Sequence, residues 1–441
     1  MINFPSKKTK INKDTFMKNI LVNLLFILLP FSGIASPRFG QYFTEGALRF
    51  DYLLAGNNKT VHVFPAATKR EKFWSGSHDY LVDTLNLGAY RYRVFDKNSG
   101  KLIFSRGFAP LFQEWQTTPE AKKQERSFYQ VLRFPFPQNE VKLEIDQRNW
   151  DGKFVSVFQT DINPKNYFII NETPQKEKVV DVLNSGKPEN HVDIAILAEG
   201  YTADQMDKFV RDATRLTDYL FTVSPFSENK NKFNVYAVET PSVESGTDIP
   251  GQHVYKNTAF NTTFYTFGVP RYLTTTDMKS VSDAAACVPY DQIIVLVNSV
   301  KYGGGGFYNF VNVCTADHNL SNLVFVHEFG HGFAGLGDEY YTSTVAYEDY
   351  YNLKVEPWEP NLTTLVDFGK KWKDMVAPST PIPTPRTPEY NNKVGAFEGG
   401  GYMSKGVYSP YEDCRMKSNE ASGFCPVCKR AIIRTIDTYT K

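Results

Sequence analysis

Two histidines four residues apart, with a glutamate directly after the first, can hold and use a metal ion. The stretch Val326-His327-Glu328-Phe329-Gly330-His331 has this spacing. On a helix, positions i and i+4 lie on one face, one turn apart, so both imidazoles can reach a single Zn²⁺. Glu328 then points beside the ion, where a general base takes a proton from metal-bound water. A zinc hydrolase needs three protein ligands and an open fourth position, so a third ligand is required nearby.

The candidates lie just downstream, in Gly332-Phe333-Ala334-Gly335-Leu336-Gly337-Asp338-Glu339-Tyr340. In the metzincin spacing, a Gly three residues after the second His ends the helix, and the third ligand follows three residues beyond it. Here position 334 is Ala and the Gly comes at 335. A helix longer by one residue, followed by the same turn, delivers Asp338. Glu339 is the competing ligand, or a group that orients His327 or His331 from behind. Asp317 and Asn319 offer caps for the start of the helix.

Other residues carry weaker signals. Gly303 to Gly306 lack the Lys-Ser/Thr of a phosphate loop. Standing just before the zinc helix, Gly305 and Gly306 fit an edge strand that pairs with an extended peptide. Tyr402 and Tyr408 are candidates to steady a tetrahedral intermediate, with Tyr408 the one assigned to substrate. Five cysteines are present: Cys287, Cys314, Cys414, Cys425 and Cys428. A structural zinc needs four ligands and only three cysteines cluster near the C-terminus. A disulfide from Cys414 to Cys425 or Cys428 is therefore expected, with a second bridge from Cys287 to Cys314. His62 and His78 have no ligand spacing.

The elements that must position these groups fall into two patterns. From about residue 40 to 170 the chain shows short, Phe-, Tyr- and Val-rich strands between turns, including a hairpin at Lys97-Asn98-Ser99-Gly100. This reads as an antiparallel β-sandwich, with one helix around Pro119 to Gln130. After the polar stretch 176–190, strands at 191–198, 233–238 and 292–298 alternate with helices at 202–222 and 319–335. The expected fold is α+β: residues 36–175 an accessory β-sandwich, 176–190 a linker, and 191–441 a zincin-like α/β catalytic domain.

Residues 1–35 read as a signal peptide. Five lysines precede an apolar run from Ile20 to Leu29, and Gly33-Ile34-Ala35 forms a small-residue exit. No later stretch is long and apolar enough to span a bilayer, so the mature protein is expected to be exported to the periplasm, the cell surface or the medium. The 441-residue chain carries a net charge of only +1, which gives no electrostatic case for nucleic acid.

HEFGHGFAGLGDEYY resembles the core motif of the IgA-peptidase-type zinc metallopeptidases, a metzincin-related family. Glu356-Pro357-Trp358-Glu359-Pro360-Asn361, the Pro-rich 381–385 stretch and the C-terminal GGGYMSKGVYSPYEDCRMKSNEASGFCPVC are also similar to it. The resemblance implies a zinc endopeptidase acting on a protein or glycoprotein, with host proteins among its candidate substrates. It also implies a Met beneath the zinc in a tight turn, for which Met416 is the best match and Met403 the alternative. Two other functions compete: a glycoprotein-binding surface protein with a vestigial zinc site, and a zinc hydrolase of non-peptide bonds. An intact Glu328 argues against the first. The ligand spacing argues against the second.

Overall fold

Phe39–Tyr42 (α1) leads into a series of antiparallel strands: β1 (Phe43–Gly56), β2 (Val61–Glu71), β3 (Tyr90–Asp96), β4 (Leu102–Phe108), β5 (Arg126–Pro137), β6 (Val141–Arg148) and β7 (Phe154–Ile162). The computed structural model describes residues 37–171, 176–341 and 350–440; the expected signal peptide lies outside them. The strands form two sheets, in the orders β2-β1-β5 and β4-β3-β6-β7. In β3 every second side chain is buried, as a strand with one wet face requires. The expected hairpin is present, with Gly100 at φ +67°. Phe50 and Tyr52 of β1 join Tyr92, Phe104 and Phe134 from β3, β4 and β5 in one core. The expected helix at 119–130 is displaced. A short helix, α2 (Leu111–Gln116), precedes it and β5 occupies its second half.

The second part contains β8 (Lys178–Leu183), β9 (Val192–Glu199), α3 (Met206–Leu220), β10 (Phe233–Glu239), α4 (Met278–Ala285), β11 (Gln292–Val297), β12 (Gly304–Phe307), β13 (Val311–Thr315), α5 (Ser321–Ala334), β14 (Phe397–Gly400), β15 (Met403–Ser409) and α6 (Pro426–Thr440). One six-stranded sheet has the order β12-β13-β11-β9-β10-β8. Its four central strands are parallel, and both edges, β12 and β8, run antiparallel. The expected linker is thus partly strand. Val179, Val180, Val182 and Leu183 are enough apolar surface to bring β8 onto β10, although polar flanks hide them in the sequence.

The strands β9 and β11 are buried along their whole length, as near-continuous apolar runs dictate. Successive side chains divide between two cores. Ile194, Ile196 and Ala198 face the helices with Phe209, Phe329, Phe333 and Ile432. Ala195, Leu197, Ile293 and Val295 face the core that also holds Phe50 and Tyr92. The N-terminal sheets therefore cover the back of the six-stranded sheet. Polar ties reinforce this contact: Arg49 Nη1 and Lys69 Nζ reach Asp283 Oδ1 at 2.7 and 2.9 Å, and Ser75 Oγ donates to the Tyr290 carbonyl at 2.5 Å. From Pro37 onward the chain is one compact unit. Among the described residues no helix is long and apolar enough to cross a membrane.

Neither expected disulfide forms; all five cysteines are free.

Candidate metal centre

Helix α5 carries His327, Glu328 and His331 and runs to Ala334. The helix begins at Ser321 with Leu320 at the cap position and no capping side chain, so Asp317 and Asn319 do not serve as expected. Asp317 instead pairs with Lys208 at 2.8 Å. At the other end Gly335 takes φ +62°, and its N–H bonds the His331 carbonyl while that of Leu336 bonds the Gly330 carbonyl. This left-handed turn suits glycine and reverses the chain. It brings Asp338 back over the helix, as the one-residue extension of the spacing requires.

The geometry at the centre is tight. His327 Nε2 and His331 Nε2 are 3.0 Å apart, and Asp338 Oδ1 lies 3.1 and 3.3 Å from them. Each ring's other nitrogen faces a carbonyl: His327 Nδ1 meets Arg415 O at 2.9 Å and His331 Nδ1 meets Leu336 O at 2.5 Å. A carbonyl only accepts, so each Nδ1 carries a proton and donates outward, and Nε2 is the ring atom that faces the centre. Asp338 Oδ1 is itself buried without a hydrogen-bond partner. Nitrogen lone pairs and a carboxylate oxygen gathered this closely call for positive charge between them, as a proton or as a metal cation. Tetrahedral zinc with bonds of ~2.0–2.1 Å places its nitrogen and oxygen donors about 3.3 Å apart, so the residues fit zinc.

The electrostatics carry the same demand. Burial disfavours a charged His331, yet Asp338 and then Glu328 raise its pKa to about 9. Burial also works against an ionised Asp338, but the two imidazoles hold it well below the usual carboxylate range. Burial pushes Glu328 up, against the pull of His327 and His331. Glu328 also comes within 4.8 Å of the histidine nitrogens and is a competing third ligand. Asp338 is the better choice, because its Oδ1 completes the triangle at 3.1–3.3 Å and its charge is the one stabilised.

The remaining expected residues fall into place or out of it. Met416 is fully buried beneath α5; a Cβ added at Gly330 would stand 2.9 Å from its sulfur. It occupies a tight turn in which Lys417 N–H bonds the Cys414 carbonyl, and its own carbonyl accepts from Glu339 N–H at 2.8 Å. Met403 starts β15 and is half-buried. Glu339 orients neither histidine. Its carboxylate turns to Asn361 and Cys428. Gly305 and Gly306 line the cleft on the edge strand β12, but the Gly304 carbonyl is already taken by Leu273 N–H. Tyr408 sits next to the end of β15, paired through its backbone with Thr363, and is not among the residues lining the cleft. Tyr402 lines it instead, its hydroxyl donating to Asp338 Oδ2.

The cleft, about 370 Å³, also draws on residues the sequence did not point to. Gln113 and Glu114 of α2 come from the N-terminal sheets, and Arg271 and Tyr272 from the segment before α4. Asn361 clamps the ligand loop, bonding both Gly337 N–H and C=O at 2.7 and 2.8 Å. Its only sequence signal was the Pro-flanked Glu356–Asn361 stretch.

Residues 180–392 and 386–436 match the family model described as IgA Peptidase M64, and residues 38–159 match the one described as Peptidase M64 N-terminus. No individually curated protein matches the chain. These matches cover both parts of the fold and include every residue of the His327–Asp338 centre, and the chain belongs to the M64 peptidases, metallopeptidases that act on protein.

Proposed function

We propose that the protein is a zinc-dependent endopeptidase with His327, His331 and Asp338 as ligands and Glu328 as general base. The observation that carries this reading is the convergence of His327 Nε2, His331 Nε2 and Asp338 Oδ1 on one point, with the Glu328 carboxylate beside it. Bound zinc supplies a Lewis acid and acidifies water. Glu328 takes the proton of the attacking water and returns it to the leaving amine. The Tyr402 hydroxyl is spent on Asp338 Oδ2, so Tyr402 positions a ligand. The outer edge of β12 at Gly305 and Gly306 receives the peptide backbone in extended form. The glycines there are needed for closeness: a Cβ at Gly304 would stand 2.6 Å from Glu328 Oε1, and one at Gly306 2.4 Å from the Glu328 carbonyl.

The lysine-flanked apolar segment supports export, and N-terminal sequencing of the protein recovered from its native host tests cleavage after Ala35. For the activity, the purified protein is incubated with a diverse peptide library with and without a chelator. Internal cleavages that vanish with the chelator and return with zinc are expected. A library left intact under all conditions, with metal bound, would remove the reading.

A further inference from the structure

A second set of donors lies in the core behind the first. Glu339, Cys414, Cys425 and Cys428 are all buried, and one donor atom from each falls within 4.8 Å of the others. They come from three segments: the ligand loop, the turn before Met416, and the start of α6. Cys414 Sγ and Cys428 Sγ are 3.8 Å apart, and Cys428 Sγ stands 3.1 Å from Glu339 Oε1. The other carboxylate oxygen, Glu339 Oε2, is buried with no hydrogen-bond partner.

We propose that Glu339, Cys414, Cys425 and Cys428 form a structural site for a thiophilic divalent ion, zinc being the natural occupant. Structural zinc sites are closed and four-coordinate with mostly thiolate donors, and a carboxylate oxygen is a zinc ligand too, so Glu339 here stands where a fourth Cys or a His is usual. Zinc–sulfur bonds of ~2.3 Å in a tetrahedron separate two sulfurs by about 3.8 Å, the spacing of Cys414 and Cys428. Cys425 N–H points at Cys414 Sγ at 3.3 Å, and the Cys-Pro-Val-Cys run places Cys425 and Cys428 at the positive N-terminal end of α6. The three cysteines alone lack a fourth ligand, and the fold brings it in Glu339, 75 residues before Cys414. The ion would also brace the catalytic centre. Glu339 follows Asp338, and Cys414 precedes Arg415, whose carbonyl holds His327.

The test uses the full chain and its His327→Ala/His331→Ala variant, which leaves all four proposed ligands in place. Elemental analysis should find two zinc ions per wild-type chain and one per variant chain. Replacing zinc by cobalt in the variant should give thiolate-to-cobalt charge-transfer absorption, which a site of histidines and aspartate cannot produce. Cys414→Ser/Cys428→Ser should abolish that absorption. If this second variant does not fold, the histidine variant decides alone. A histidine variant that binds no metal and shows no charge-transfer band overturns the proposal. So does peptide mapping that finds Cys414 joined to Cys425 or Cys428 as a disulfide. Failure of the catalytic reading would leave the variant's cobalt spectrum unchanged, so the two are tested separately.

Discussion

Asp338 and Glu339 are adjacent in the chain and serve opposite sides of it: Asp338 Oδ1 lies 3.1 Å from His327 Nε2, and Glu339 Oε1 lies 3.1 Å from Cys428 Sγ. Successive side chains of an extended segment diverge, and here the divergence separates the cleft from the core. Asp338→Ala should therefore strip the cleft of its metal. Loss of a group that only supports a ligand costs about ten- to a hundredfold in affinity, so loss of the ligand itself should exceed a hundredfold. Competition with a chromophoric chelator measures this. Comparable weakening of the cleft metal in Glu339→Ala, with Asp338→Ala unaffected, would assign the third ligand to Glu339.

Glu328→Gln is expected to keep the metal and lose activity by about a hundredfold or more, since the amide cannot take a proton. Metal content by elemental analysis and turnover on a peptide substrate give the two readouts. Turnover near that of the wild type would place the proton acceptor elsewhere.

The glycines of β12 separate catalysis from stability. At Gly304 an added Cβ meets the carboxylate end of Glu328, a flexible side chain that can move aside. At Gly306 it meets the Glu328 backbone carbonyl and His331 Cβ, which cannot. Gly304→Ala should thus fold normally, bind metal and lose turnover. A displacement of the base by about 1 Å can cost roughly a hundredfold. Gly306→Ala should lower the melting temperature as well. Equal melting temperatures with equal turnover in both variants would show that β12 is not packed against α5 as described.

The geometry of the candidate site was legible where it was local. His327, Glu328 and His331 follow from helix periodicity, and Asp338 from the Gly335 turn, because each depends on a few consecutive residues. The continuous apolar run of β9 and the extra helix residue were equally plain. What failed depended on distant convergence. Nothing near Cys414 announces Glu339, and nothing near Glu339 announces Asn361. Tyr402 and Tyr408 were indistinguishable until the fold set Tyr402, in the turn before β15, against Asp338 and Tyr408 within that strand. Disulfides were expected from compartment and count, but pairing depends on geometry. The strand β8 was missed because Val179-Val180 and Val182-Leu183, inside a polar stretch, become apolar surface only when β10 lies beside them.

The seam between the N-terminal sheets and the six-stranded sheet has an ionic lock at Asp283, whose stabilising effect depends on pH. Its carboxylate, 16% exposed, meets Arg49, Lys69 and Lys279 at 2.7–2.9 Å. Burial alone would raise its pKa, but Lys279, Lys69 and Arg49 together lower it to about 2. In the unfolded chain an aspartate titrates near ~3.9. The folded pKa is thus depressed, so the stabilisation is complete well above pH ~4 and is lost as pH falls toward about 2. Two pKa units correspond to roughly 2–3 kcal/mol. Asp283→Asn should therefore be less stable than the wild type by about that amount at pH 7, and by about half of it at pH 3. Denaturant melts of the two proteins at both pH values measure the gap. A gap that is the same at pH 3 as at pH 7 would mean that the loss comes from packing at Asp283 and that its charge contributes nothing to the seam.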